Sequence, residues 1–180
     1  MSERAGAFAD LFRGLGIDLS FLMKPSNSSL ATSLINLSPK HKVLLVHNTY
    51  TSSAEVGALN EWKGAATLCL CPNANMYIEG RLPDIPLLAS CNAPLVVGTD
   101  SLASNTQLSI LDELKTISKH YPQFSLQELL EWATINGATY FGWDDILGTI
   151  KIRKKPGIVN ISGLEEGFKL KSSSLAKRVA

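Results

Sequence analysis

Three short apolar runs constrain this chain more than any other feature: KVLLVH at 42–47, ATLCLC at 66–71 and APLVVG at 93–98. Each is short, continuous and without polar alternation, the pattern of a strand covered on both faces. Helical segments lie between them. SSAEVGALNEWKG opens at Ser52 or Ser53 and has Gly64 beyond it, and PDIPLLASCN reads as a short helix entered at Pro83. Strand, helix, strand, helix, strand with short connections predicts an α/β fold with a parallel sheet and right-handed crossovers.

The flanks extend the pattern. Residues 3–15 carry Ala5, Phe8, Leu11, Phe12 and Leu15 at helical spacing, with Gly16 as a stop; 16–29 reads as loop and SLATSLINL as a short helix. After the third run, TQLSILDELKTISKHY places Leu108, Leu111, Leu114 and Ile117 on one stripe. SLQELLEWATING is a helix opened by a capping box, Ser125 with Glu128, and closed by Gly137. The end, LGTIKIRKKPGIVNI, has two strand-like runs around a turn-like KKPG. No repeat, low-complexity tract or linker interrupts the chain.

At 180 residues, 45% hydrophobic and 18% charged, the chain can bury a core, so disorder is not expected. A net charge of +1 leaves no basic face for nucleic acid; the lysines and arginines from Lys151 to Arg178 read as solvated edges and a chain end. No apolar run approaches membrane-spanning length, no signal-peptide pattern opens the chain, and the three cysteines, Cys69, Cys71 and Cys91, fit a reducing compartment. The expectation is a cytoplasmic protein with neither nucleic-acid nor membrane partners.

In parallel α/β folds chemistry collects where strands end. The first run closes on His47-Asn48, the second on Cys71-Pro72-Asn73 and the third on Gly98-Thr99-Asp100, followed by Ser101, Ser104 and Asn105. Each residue has two readings. His47 is either a satisfied core histidine or a site residue, Asp100 either a turn-capping carboxylate or a catalytic one. Asn73 and Asn75 are either turn formers or site residues. Cys69 and Cys71 share one strand face, which suits core thiols better than zinc ligands, since Cys-x-Cys lacks metal-ribbon spacing. His41 and His120 are expected at the surface, and Met23, Met76 and the three tryptophans in packing. Phosphate-binding glycine loops and the G-x-S-x-G elbow are absent.

In combination, LVHNTYTSSAEV, LCPNANMYIEGRLPDIPLL, VGTDSLASNTQLSILDELKTI, WATINGATYFG and LGTIKIRKKPG, in this order across 43–157, resemble the amidohydrolase superfamily, in its cytosine/guanine-deaminase and chlorohydrolase branch. The resemblance implies a metal-dependent (β/α)8 TIM barrel in which water activated by zinc or iron attacks a C–N or similar bond. By position, Asp100 is similar to the aspartate after the last barrel strand, which approaches the metal and takes the water's proton. His47 is similar to the histidine after the sixth strand, which either binds metal or hydrogen-bonds hydroxide and substrate. Both are thereby candidate catalytic and metal residues, and Asn73, Ser104 and Asn105 are candidates for substrate binding.

The departures are as informative. The family's H-x-H after the first strand and its histidine after the fifth strand are missing; the histidines are His41, His47 and His120. The chain is expected to begin just downstream of that second ligand, with Glu3 a remnant of the region. Ala74 stands where serine is common, and Arg153 where Gly-Lys is usual. The expectation is the C-terminal half of such an enzyme: residues 1–147 as the last three strands and helices of the barrel, and 148–180 as terminal strands of a small composite β-domain and a tail. Its partners would be an amine-bearing heterocycle, the N-terminal half of the barrel and other copies of itself. Alone it is expected to bind metal weakly or not at all and to be inactive. The alternative is a non-catalytic α/β interaction module derived from an amidohydrolase.

Overall fold

The three apolar runs pair as parallel strands in the computed structural model, which describes residues 7–19 and 28–180. They are β1 (Lys42–Val46), β2 (Ala65–Leu70) and β3 (Leu95–Val97), in the order β1-β2-β3. Leu45 sits opposite Leu68 and Leu68 opposite Leu95, so the pleat points these leucines to one face. Burial corrects one expectation: β2 and β3 are covered on both faces, whereas β1 is only half-buried and Val46 is exposed. Among the described residues β1 and β3 are the sheet's edges, and an edge strand lacks one neighbour.

The leucine face carries the main core. Leu68, Leu70 and Leu95 pack with Val56 and Leu59 of α3 (Ser53–Glu61) and with Ile85 and Leu88 of α5 (Ile85–Ala89). Leu114 and Ile117 of α6 (Ile110–His120) and Leu129 and Trp132 of α7 (Leu126–Ala133) complete it, with Leu30 and Leu34 of α2 (Ser29–Asn36). The starts of these five helices are capped by side chains: Ser28, Ser52 with Glu55, Asp84, Ser109, and Ser125 with Glu128. α5 starts at Ile85 behind its Asp84 cap, two residues after the expected entry at Pro83. Leu108 lies outside α6 and is exposed, which shortens the expected stripe by one residue. The opposite sheet face holds a small cluster of Cys69, Cys71, Ala74 and Val96.

Several other elements differ from what the sequence led one to expect. Pro72 does more than break a strand: it is the first residue of α4 (Pro72–Glu79), where a missing N–H costs nothing. The expected helix over 125–137 is two, α7 and α8 (Ile135–Phe141), divided at Thr134 with φ −132° and ψ −86°. Gly137 lies inside α8, which closes on the left-handed Gly142 instead. The first strand-like run of the C-terminal segment is not a strand, and Ile150 and Ile152 stand exposed. The second run forms β4 (Val159–Ser162), which pairs antiparallel with β5 (Leu175–Arg178) rather than across KKPG. Finally, α1 (Ala7–Gly14) forms, but its apolar face of Phe8 and Leu11 is exposed.

Ala5, Met23, Glu3 and most of the 16–29 loop fall outside the described residues. His41 and His120 are exposed, as expected; Trp62 and Trp132 pack in the core, while Met76 and Trp143 do not. No helix among the described residues is long and apolar enough to cross a membrane.

Candidate active site

The carboxyl ends of β1 and β3 are built as sharp, hydrogen-bonded turns. His47 still donates its N–H to Cys69 at 2.9 Å, extending the ladder by one residue, and the chain then reverses through left-handed His47 (φ 70°) and Asn48 (φ 57°). The Asn48 amide donates to the Leu45 carbonyl at 2.8 Å and locks the reversal. After β3, Gly98 donates to Leu70 and Asp100 adopts φ 56°. Left-handed non-glycine residues cost free energy and concentrate where geometry serves a site.

These turns bring together the two residues singled out in the sequence. His47 Nε2 lies 4.0 Å from Asp100 Oδ2, and both side chains are about one-third exposed. The Ser104 hydroxyl donates to the same Oδ2 at 2.5 Å, while its backbone N–H closes a turn on Ser101. The carboxylate is therefore fixed from below and open toward the imidazole.

Asn73 and Asn105 reach this face indirectly, through Glu113. The Glu113 carboxylate is fully buried and accepts the Asn73 backbone N–H at 2.8 Å and the Asn105 amide at 2.7 Å. The Asn105 amide also donates to the Thr99 carbonyl, and its oxygen accepts from Thr106 N. The Asn73 side-chain oxygen accepts from the Thr116 hydroxyl. One buried carboxylate thus ties the first turn of α4 to the loop that carries Asp100. Burial pushes the Glu113 pKa up, against the hydrogen bonds from Asn73 and Asn105 that hold it down. The sequence analysis did not find Glu113; its signal was a carboxylate beside Leu114 in an otherwise apolar stripe.

A second polar residue of α4, singled out in the sequence as a turn former or a site residue, also lies here. Asn75 is buried, and its amide nitrogen lies 2.8 Å from Thr49 Oγ1, 3.3 Å from His47 Nδ1 and 3.3 Å from Glu79 Oε2. Cys69 and Cys71 are core thiols behind the site. A Cβ on Gly98 would lie 3.2 Å from the Cys69 sulfur and 3.6 Å from that of Cys71, so glycine lets β3 end close to them without displacing the Cys69 thiol. The hydrogen bond to Cys69, together with burial, pushes the Cys71 thiol far above its usual range.

A divalent metal is only partly provided for. An ion bonded at about 2.0–2.2 Å to both His47 and Asp100 would need an angle well beyond tetrahedral at the observed separation, and catalytic zinc takes about three protein ligands. Among the described residues no group of three or more His, Cys, Asp or Glu side chains is placed to hold a metal ion. The residues present do not fit a complete zinc or iron centre; they offer a donor pair.

The sequence pattern of the amidohydrolase family matches residues 20–176. The chain is 28% identical over 139 residues to a 5-methylthioadenosine/S-adenosylhomocysteine deaminase of Saccharophagus degradans, covering 71% of this chain and 31% of that protein. It is similar to the structure of Helicobacter pylori aminofutalosine deaminase in complex with methylthio-coformycin, with TM-score 0.64, 26% identity, and coverage of 87% of this chain and 38% of the other. A zinc-bound adenosine deaminase from Xanthomonas campestris gives TM-score 0.55 at 26% identity over 64% of this chain and 28% of the other. The chain spans about a third of the length of the curated relatives it matches.

Proposed function

This chain belongs to the amidohydrolase family, and from that premise we propose that it is the C-terminal part of a cytoplasmic, metal-dependent hydrolase that removes amino groups from heterocycles by cleaving C–N bonds. In this reading β1, β2 and β3 are the last three strands of a (β/α)8 barrel within 1–147. Residues 148–180, with β4 and β5, are terminal strands of a composite β-domain. The remaining ligands of a zinc or iron ion come from outside this chain, and the isolated chain is inactive.

The observation that carries the reading is the 4.0 Å approach of His47 and Asp100 from two different strand ends. Relatives whose names specify adenine-nucleoside substrates, and one that holds zinc, support its chemistry. A metal held by Asp100 and by ligands from outside this chain would supply a more acidic water. Asp100 accepts the proton as the water oxygen bonds to the ring carbon, and returns it to the departing nitrogen as the C–N bond breaks. His47 steadies the oxygen that becomes charged, and Ser104 holds Asp100 in line. Ser104 borders the space on which the substrate rests, and Asn73 and Asn105, expected in the sequence to touch substrate, support that space through Glu113 instead.

Among the described residues no third metal ligand joins the pair, which favours a second reading, a non-catalytic interaction module. Mixing the chain with the N-terminal half of a relative, zinc and a panel of aminopurines and pyrimidines separates the two. Ammonia release supports the hydrolase; a stable complex that never turns over supports the module.

A further inference from the structure

Between α6, the start of α7 and the segment 165–173 the chain closes a cleft of about 1000 Å³ that neither His47 nor Asp100 lines. Its walls carry Lys115, Lys119, Lys169 and Lys171 against Asp112 and Glu165. Lys115 and Asp112 satisfy each other at 2.9 Å. Lys119, Lys169 and Lys171 form no ion pair among the described residues, so Glu165 alone opposes them. In a chain whose net charge is only +1, three like charges around one cleft repel one another, and an anion relieves that repulsion. The excess of three lysines over one glutamate matches a phosphate monoester, at about −1.5 to −2 near pH 7, better than it matches a single carboxylate.

Phe168 lines the same cleft. It is 74% exposed and holds φ 59°, directly after Gly167 at φ 75°. A bulky side chain is strained in this left-handed region, and such strain collects where a site needs it. The segment is pinned in place: Glu165 N donates to Lys169 O at 2.9 Å, Phe168 N to Glu165 O at 3.1 Å, and the hydroxyl of fully buried Ser174 to the Gly163 carbonyl at 2.9 Å. An aromatic face is thereby left open on a cleft that also has apolar wall in Phe124 and Leu170. Small-molecule sites occupy roughly 300–1000 Å³, so the space suits a metabolite. We propose that this cleft binds a phosphate monoester carrying a planar ring, with the phosphate on Lys119, Lys169 and Lys171 and the ring against Phe168. The site is separate from the proposed hydrolytic centre and stands whether or not that centre turns over.

Isothermal titration calorimetry on the chain tests this with phenyl phosphate, inorganic phosphate and benzoate as probes. Phenyl phosphate should bind most tightly. Inorganic phosphate should bind about two- to tenfold more weakly for want of the ring, and benzoate, with the ring but less charge, should also bind more weakly. Lys169→Gln combined with Lys171→Gln should weaken phenyl phosphate about tenfold, whereas Lys177→Gln, on β5 outside the cleft, should not. Phe168→Gly should abolish the preference for phenyl phosphate over phosphate and leave the urea midpoint no lower, because glycine takes φ 59° without strain. Absence of saturable heat with phenyl phosphate at millimolar concentration overturns the proposal. Equal losses in Lys177→Gln and in the cleft variant would show non-specific attraction and do the same. Benzoate binding as tightly as phenyl phosphate overturns the assignment to a phosphate. An unchanged preference in Phe168→Gly, or a lowered urea midpoint, removes the ring from the site and overturns the proposal as stated.

Discussion

Asp100 and His47 were legible in the sequence because each follows a short apolar run, and strand ends are set by the sheet. Glu113 was not, because its partner Asn73 lies 40 positions away and meets it only once α4 packs beside α6. Glu113 makes the sharper prediction. Its folded pKa is raised, so its contribution to stability is full below the unfolded carboxylate value and is lost as pH rises through the folded one. Urea midpoints of the chain should therefore decline across the weakly acidic range above the usual carboxylate value, and Glu113→Gln should flatten that decline. The same substitution turns an amide N–H toward Asn73 N or Asn105 Nδ2, costing about 1–3 kcal/mol at neutral pH. Equal pH slopes in both proteins would remove Glu113 from this role. In the reconstituted enzyme, His47→Ala should lower kcat by about 10²–10³, the loss typical of one transition-state donor.

The capped helices and the parallel strands were readable at the scale of elements, because a capping box or a short apolar run is a local signal. Ser125 illustrates this: its hydroxyl accepts from Glu128 N at 3.2 Å while Glu128 accepts the Ser125 N–H at 2.8 Å. Ser125→Ala should cost about 1 kcal/mol in urea unfolding, and an unchanged midpoint would show that α7 is held by packing alone. Gly98→Ala tests a tertiary constraint. A methyl group 3.2 Å from Cys69 Sγ overpacks the small cluster, so a loss of about 1–3 kcal/mol is expected by the same measurement. The less readable elements depend on distant contacts. The break at Thr134 follows no glycine or proline, and β4 pairs with a strand whose sequence, LAKR, is fully exposed and carries no apolar alternation.

Across the whole molecule, apolar groups stand on several exposed surfaces. Phe8 and Leu11 of α1 are uncovered, Phe141 stacks on a half-exposed Trp143 at 4.9 Å, and Ile150 and Ile152 are 76% and 95% exposed. Contiguous apolar surface and open strand edges favour pairing with another chain. The isolated protein should therefore self-associate, with Ile152→Asp shifting light scattering toward monomer; a monodisperse wild-type monomer at high concentration would contradict this. The same surfaces fit a chain that spans about a third of its relatives' length. The most direct test of the His47–Asp100 pair as half of a hydrolytic centre is kcat for ammonia release by the reconstituted enzyme, wild type against Asp100→Asn. An amide cannot take the water's proton, so a fall of about 10²–10⁴ is predicted, and an Asp100→Asn enzyme with unchanged kcat would contradict it.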